Sequence, residues 1–344
     1  MIRVLEVLAT LKRAGAEMLV ASLVSGLDRS RFEPAVVTLY DASPHDLEPV
    51  VRAAGVPVTR LGKRSGIDVR MFSRLRTVID EFRPDIVHTH SYVMRYTLPV
   101  VRCAAVHTVH NLAAHEVDRV GKLVHRIAFR RGVIPVAVAD EVARSCEEVY
   151  GLRPRTILNG IDIARFHGHE ARQAWREAHG FSESDVLVVS VARLMPQKNP
   201  ELLVQALPEG FHLLLAGEGP LRNALTGLDR VHLLGVRSDL PELLSGAEVF
   251  ALASNWEGHP IAVMEALAAG LPTVVTGVGG VPEIVGDAGV LVPPDNVKAL
   301  HDGIVAAYAN RDKYRAAALQ RATRFDIRTT IAAYEDVFER AVRR

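Results

Sequence analysis

Cysteine is scarce. Cys103 and Cys146 are the only two in 344 residues, too few for a disulfide framework and not spaced as a CxxC metal pair. A reducing compartment fits that scarcity. An excess of one charge is also missing: 41 Lys and Arg face 40 Asp and Glu, for a formal net charge of +1. That balance gives no electrostatic ground for a nucleic-acid partner, so any phosphate-binding site must be local. Long apolar runs are absent too. The opening MIRVLEVLAT carries Arg3 and Glu6 and is too short and too charged for a secretory leader. The longest apolar stretch, residues 261–282, contains Glu265, Pro272 and four glycines, and reads as helix, turn and strand rather than a membrane span. There is no internal repeat and no low-complexity tract. With 49% hydrophobic and 24% charged residues, the chain is neither disordered nor collagenous. A soluble cytoplasmic protein is expected. At about 150 residues per domain, it should have two domains.

Short β-branched runs alternate with helical patterns from end to end. Residues 1–8, 34–39, 57–61, 85–88, 105–109 and 133–139 read as strands; 14–27, 69–81, 117–131 and 140–150 read as helices. The pattern breaks at 159–181, a polar stretch with Gly160, Gly168 and Gly180, and restarts with strands at 186–191, 212–216, 231–234, 249–252, 272–276 and 290–292. Alternation of this kind predicts parallel sheets covered by helices on both faces. Two Rossmann-like, doubly wound α/β domains are therefore expected, with ligands beyond the carboxyl ends of the strands. Residues 329–344 read as a final helix ending in basic residues, the sign a helix end favours.

The densest chemical signal is SNWEGHPIAVMEALAA, residues 254–269. Pro260 suits the first turn of a helix. A helix start after a strand offers free N–H groups and a positive dipole end, which suits phosphate. Glu257 precedes that start and Glu265 follows it, in an otherwise apolar stretch where an unpartnered carboxylate would be costly. A carboxylate there can accept hydrogen bonds from the vicinal hydroxyls of a ribose. The bland alternative is a capping Glu257 and a stray Glu265. In SVARLMPQKNP, Arg193 and Lys198 follow a buried strand and suit a diphosphate, although a solvated loop would look the same. GEGPLR, residues 217–222, has Arg222 where a dinucleotide fingerprint needs its third glycine, and reads as a turn. The GVGG of 277–280 reads as a loop approaching an anion or a sugar. Gly15-Ala16 opens a helix after the first strand, again a position suited to an anion. His88 and His90, and then His107 and His110, cluster at strand ends. The pair His88-x-His90 has no Cys, Asp or Glu companion with ligand spacing, so no metal is expected. Polar contacts to a substrate and satisfied structural histidines are the competing readings.

These pieces together resemble the retaining glycosyltransferases of family 4, with the GT-B architecture of two domains facing a central cleft. Glu257 and Glu265, with seven residues between them, are similar to the family's E-x7-E motif. ILNGID (157–162), VARL…QKNPELLVQAL, LLLAGEGPLR, LLGVRSDLPELLSGAEVFALAS and GGVPEIV…GVLVPP follow in the family's order. AGAE, VHTHS and VHTVHN fit its N-terminal landmarks. The likeness covers nearly the whole chain and is strongest over 157–294.

The resemblance implies an acceptor-binding domain at 1–165 and a nucleotide-sugar-binding domain at 166–328, with the helix 329–344 packing back on the first. The donor would be a UDP- or GDP-sugar, acting as co-substrate without metal or other cofactor. Glu265 would hold the ribose. Arg193 and Lys198, with the N–H groups of Ile261 and Ala262, would hold the diphosphate and stabilise the leaving nucleotide. Glu257, with Gly258, would sit beside the transferred sugar, and Val236 and Arg237 beside the base. Gly15 and Ala16 would approach the diphosphate, and His110 would contact the sugar. His88 and His90 are candidates on the acceptor side. Where the family often has Glu-Gly-Phe-Gly, this chain has Glu257-Gly258-His259-Pro260, which makes His259 a donor-side candidate and bears on which sugar fits. Substitution on one face through an oxocarbenium-like state is the expected route. The acceptor stays open among saccharides, lipid-linked sugars and small molecules. A nucleotide-sugar epimerase and an inactive sugar-nucleotide-binding subunit are the alternatives; a dehydrogenase lacks its fingerprint. The basic HRIAFRR, residues 125–131, reads first as a solvated helix face and second as a contact for an anionic membrane at its inner face.

Overall fold

The computed structural model describes residues 1–167 and 172–343. Gly168 of the expected linker, and the last residue of the expected terminal helix, lie outside them. The chain forms two units, Met1–Gly160 with Ile327–Arg344, and Ile161–Asp326. The expected borders at 165/166 and 328/329 thus move to 160/161 and 326/327. The shift has a local cause. The Ile161 N–H donates to the Phe325 carbonyl (2.8 Å), and Ile161 bridges Asp326, so both segments join the second unit together.

The first unit is built on seven strands: β1 (Ile2–Leu8), β2 (Phe32–Thr38), β3 (Val58–Arg60), β4 (Ile86–His90), β5 (Ala104–Val109), β6 (Ile134–Ala137) and β7 (Arg155–Thr156). They pair in parallel in the order β3-β2-β1-β4-β5-β6-β7. β1 is apolar at every position but Arg3 and Glu6, as befits a strand covered on both faces; Arg3 is partly exposed near its start, and Glu6 is buried. The second unit has six: β8 (Val186–Val191), β9 (Phe211–Ala216), β10 (Val231–Gly235), β11 (Val249–Leu252), β12 (Thr273–Thr276) and β13 (Gly289–Val292), in the parallel order β10-β9-β8-β11-β12-β13. In each sheet the first strand has neighbours of opposite crossover direction on its two sides. That reversal opens a crevice at the carboxyl ends of β1/β4 and of β8/β11.

The predicted strands are observed within a few residues. Among the elements the sequence reading did not give are β7 and several short helices that carry little periodic signal, including Glu48–Ala53, Met94–Thr97, Ala113–Glu116 and Arg172–Ala178. The last lies in the stretch read as irregular. Tertiary contacts hold it in place of an apolar stripe. Buried Arg176 donates to the carbonyls of Ser182 and Gly246 and pairs with Glu248, and the Trp175 ring lies against Gly246. Such contacts override local propensity.

The C-terminal helix Ile327–Val342 belongs to the first unit. It buries Tyr334 and Phe338, whose rings lie 5.3 and 5.4 Å from that of His88. Thr330 Oγ1 donates to the Leu158 carbonyl (2.9 Å) where this helix starts. Gly160 passes beneath it: a Cβ there would stand 2.5 Å from Thr330 Oγ1 and 2.7 Å from Ile327 Cα. The obstacle is partly backbone and cannot rotate away. Gly160→Ala is therefore expected to destabilise the protein by about 1–3 kcal/mol in urea unfolding, the range for overpacking a tight site. An unchanged midpoint would show that the helix can shift at no cost.

Candidate functional site

In the second unit the candidates gather where β8 and β11 end side by side. Beyond β8 the chain turns through Arg193 and Lys198. The GEG turn braces this loop from behind. The Leu194 N–H donates to the Glu218 carbonyl and the Leu221 N–H to the Leu194 carbonyl, both at 3.0 Å. A Cβ at Gly217 would stand 1.9 Å from the Ala192 carbonyl oxygen. The turn read from GEGPLR is present, followed by one helical turn, Arg222–Leu225. Its glycines serve this close approach of two backbones.

A second set of bonds ties the loop to the end of β11. The Asn255 N–H donates to the Gln197 carbonyl (2.8 Å), Gln197 Nε2 to the Trp256 carbonyl (3.0 Å), and Asn255 Nδ2 to the Pro196 carbonyl (2.9 Å). The sequence reading missed Gln197, Ser254 and Asn255. Their signal was position, since both stretches follow strands that prove adjacent. The result is an ion pair between Lys198 Nζ and Glu257 Oε1, and Ser254 Oγ donates to the same oxygen (2.5 Å). Glu257 is buried and Lys198 mostly so, which strengthens their attraction. Arg193 is exposed and has no side-chain partner among the described residues.

The helix Ile261–Ala268 starts directly after Pro260, and no side chain caps it. Ile261 and Ala262 form its first turn and Glu265 its second; Glu265 is buried. Gly258 and Gly279 explain the GVGG stretch differently from the sequence reading. The Gly280 N–H donates to the Gly258 carbonyl (2.9 Å), and a Cβ at Gly279 would stand 1.9 Å from the Glu257 carbonyl oxygen. The tight approach at Gly279 is to the Glu257 backbone, and it holds that carboxylate in place. His259 is buried with its ring 5.7 Å from that of Phe325, and burial lowers it to about 3. It packs as a neutral aromatic. Val236 follows β10 and is partly buried. Arg237 is held by Asp239, with Nε 2.7 Å from Oδ1, and that hydrogen bond raises its guanidinium further. Asp239 also accepts from Trp175 Nε1 (3.3 Å).

In the first unit the candidates lie at the ends of β1, β4 and β5. Gly15 and Ala16 begin an uncapped helix, Gly15–Gly26, and a Cβ at Gly15 would meet open space. Parallel register sets Glu6 beside His88 and His90 beside Thr108. With the two-residue period of a strand, Glu6, His88, His90 and Thr108 share one face of the sheet. Glu6 Oε1 lies 3.0 Å from His88 Nδ1 and Oε2 lies 2.8 Å from His90 Nε2. His88 Nε2 lies 2.8 Å from Thr108 Oγ1, which lies 2.9 Å from Tyr334 OH. His90 Nδ1 lies 2.8 Å from His110 Nε2.

Two corrections follow. The histidine pair does have a carboxylate companion: Glu6, which stands 82 positions before His88 and is brought there by strand pairing. The three residues offer ligand-type atoms within 4.8 Å of one another, but those atoms already meet at hydrogen-bond distances. In addition, His88 and His90, taken as acceptor-side candidates, are buried. Both nitrogens of each ring face protein partners, so a direct contact to an acceptor would have to break one of these bonds. His107 shares the opposite face with Thr89, whose hydroxyl lies 2.8 Å from its Nδ1. Partly exposed His110 is the cluster's member nearest solvent.

Electrostatics agree with the geometry. Burial would raise Glu6, but the opposing attraction and hydrogen bonds of His88 and His90 hold it at about 2. His90 falls to about 4, through burial first and His88 second. Burial also takes His110 well below its usual value.

Two doubly wound parallel-sheet units, each with a cluster at its strand-order reversal, and a helix start flanked by cations in the second, define the class of GT-B glycosyltransferases. Known proteins specify it further. Residues 13–165 match the family described as Glycosyltransferase Family 4, and residues 171–324 the one described as Glycosyl transferases group 1. The Escherichia coli UDP-Gal:alpha-D-GlcNAc-diphosphoundecaprenol alpha-1,3-galactosyltransferase is 30% identical, over 68% of this chain and 68% of its own. The N-acetyl-alpha-D-glucosaminyl L-malate synthase of Bacillus anthracis is 25% identical, over 72% and 71%. In fold, the chain is similar to Anabaena HepE, solved in complex with UDP and glucose: TM-score 0.85 at 19% identity, covering 98% of this chain and 100% of that one. The chain belongs to glycosyltransferase family 4 and is an enzyme that transfers a sugar from a nucleotide sugar.

Glu116, near His110, yields a test of the first unit's electrostatics. Burial raises its carboxyl to about 7, opposed by hydrogen bonds from the backbone N–H groups of His110 and Asn111. A raised acid prefers its proton in the folded state. Its contribution is therefore full below about pH 4.5 and is lost as pH rises through about 7. Glu116→Gln should remove this loss. Between about pH 5 and pH 8 the wild type should lose about 2–3 kcal/mol more than the variant in urea unfolding. Equal losses would show that the carboxyl titrates at its ordinary value.

Proposed function

We propose that the protein is a retaining glycosyltransferase that uses a UDP- or GDP-sugar without metal and that the second unit holds the donor. The observation that carries this reading is the join of the 192–199 loop to the end of β11. It sets Lys198 against Glu257 beside an uncapped helix start, and the same loop carries the exposed Arg193. Those groups supply the charge that a departing diphosphate needs. Glu265 takes the ribose hydroxyls, Ile261 and Ala262 offer N–H groups to the phosphates, and Val236 and Arg237 lie on the side of the base. Glu257 and Gly258 adjoin the transferred sugar. In the first unit, His110 serves the sugar, and Gly15 and Ala16 serve the diphosphate. The bond from the anomeric carbon to the diphosphate breaks as the acceptor oxygen bonds to the same face. The acceptor's proton leaves with the nucleotide.

Uracil is the favoured base, because the Escherichia coli relative is named for UDP-Gal and HepE was solved with UDP. The epimerase reading gains no support from these relatives. The first test is thermal shift with UDP, GDP, ADP and their sugars, with and without EDTA. Ligand at about 100 times its dissociation constant adds about 2.7 kcal/mol. A shift with one nucleotide is expected to survive EDTA and to be lost in Glu265→Ala. Loss with EDTA would overturn metal independence, and no shift at all would overturn the donor site. With the donor known, a product of inverted anomeric configuration would overturn retention.

The acceptor is proposed to be a saccharide or lipid-linked sugar, reached at an anionic membrane surface. Among the described residues no helix is long and apolar enough to cross a membrane. The helix Arg119–Arg130 instead exposes Val120 (63%), Leu123 (54%) and Ile127 (38%) along one stripe, flanked by exposed Arg119, Arg126 and Arg130. Apolar side chains between cations suit the interface of an anionic bilayer. Co-sedimentation with phosphatidylglycerol vesicles should be salt-sensitive and weakened by Leu123→Asp. Recovery of all the protein in the supernatant at low salt would overturn it.

A further inference from the structure

The buried cluster of the first unit has a direction, and its end is His110. An ionised carboxylate can only accept hydrogen bonds, so both ring nitrogens that face Glu6 must carry hydrogen. His90 therefore donates from Nε2 to Glu6 Oε2 over 2.8 Å. A neutral imidazole has one N–H, so His90 Nδ1 keeps its lone pair. Across from it, also at 2.8 Å, lies His110 Nε2, which must then be the donor. That leaves His110 Nδ1 as a lone pair. The tautomer is thus assigned by the network, link by link from Glu6. Glu6 and His90 are buried, and both Glu6 oxygens lie against ring nitrogens.

The groups around this chain leave its sense unchanged. The other Glu6 oxygen is taken by His88 Nδ1, and His88 Nε2 by Thr108 and, beyond it, Tyr334. Glu116 bonds to the His110 backbone N–H and does not compete for the ring.

We propose that Glu6 is a positioning residue that, through His90, locks His110 in the Nε2–H tautomer, so that His110 Nδ1 accepts a hydrogen bond from a hydroxyl of the transferred sugar. The part concerning the sugar rests on the donor reading above; the part concerning the proton does not. An acceptor at His110 selects donors whose hydroxyl can give a hydrogen. A fluorine in its place cannot give one, whereas a donating imidazole would tolerate fluorine better.

The experiment is nitrogen NMR of the whole chain labelled with 15N-histidine, with His110 signals identified by their absence in His110→Phe. The His110 Nε2 is expected to be protonated and to show a coupling to an unprotonated His90 Nδ1 across the hydrogen bond, with no titration of His110 between about pH 6 and 8. Glu6→Gln, whose amide can donate as well as accept, should bring a second His110 population bearing Nδ1–H. The proposal is overturned if the proton lies on His90 Nδ1, or if Glu6→Gln leaves a single unchanged His110 signal. It is also overturned if one equivalent of zinc or manganese copurifies with the cluster. No donor is needed for these readings, so they fail independently of the donor assignment. With the donor identified, deoxy and deoxyfluoro sugars altered at the hydroxyl facing His110 should both lose about threefold to tenfold in kcat/KM, the worth of one neutral hydrogen bond. A deoxyfluoro donor as good as the parent would overturn the accepting role.

Discussion

Parallel pairing forces every strand of a sheet to end at the same edge, and the chemistry of this enzyme depends on that edge. Residues far apart in the chain meet there because register, not proximity in sequence, decides who is adjacent. Glu6 meets His88 through the pairing of β1 with β4, and Lys198 meets Glu257 because β8 lies beside β11. In both sheets the meeting happens where the strand order reverses and a crevice is left open. The same physical rule thus places one polar cluster in each unit.

The two clusters solve the problem of a buried carboxylate in different ways. Glu257 is neutralised by a primary ammonium, with a serine hydroxyl on the same oxygen. A lysine is flexible and can exchange partners when an anion arrives. Glu6 is satisfied by two rings whose nitrogens sit on rigid strands. Those partners cannot be exchanged without turning buried rings away from the carboxylate. The first arrangement suits a group that responds to ligand, and the second suits one that sets a fixed boundary condition for its neighbours.

Much of the fold was legible. Alternation of β-branched runs with helical patterns gave two parallel sheets, because strands covered on both faces must be apolar throughout. The E-x7-E spacing and the order of the family-like segments pointed to the second unit's cluster. What stayed hidden depended on distance in sequence. In the sequence Glu6 was only a charge that argues against a leader, and only pairing with β4 turns it into the companion of His88 and His90. The GEG turn and Gly279 looked like ligand or turn glycines, but the constraint on them is the backbone of Arg193's loop and of Glu257. The helix Arg172–Ala178 was invisible because Arg176 and Trp175, rather than a periodic stripe, hold it. His259, a polar residue at a motif position, packs its ring against Phe325.

The second unit leaves and rejoins the rest of the chain at neighbouring residues, Ile161 and Phe325–Asp326, which bond to each other. In topological terms it is an insert with adjoining ends. Nothing in the first sheet must be rethreaded to accommodate a different insert, and Gly160 is the tight residue at the seam. The residues from Ile161 to Asp326 thus form a closed excursion from the first unit's chain.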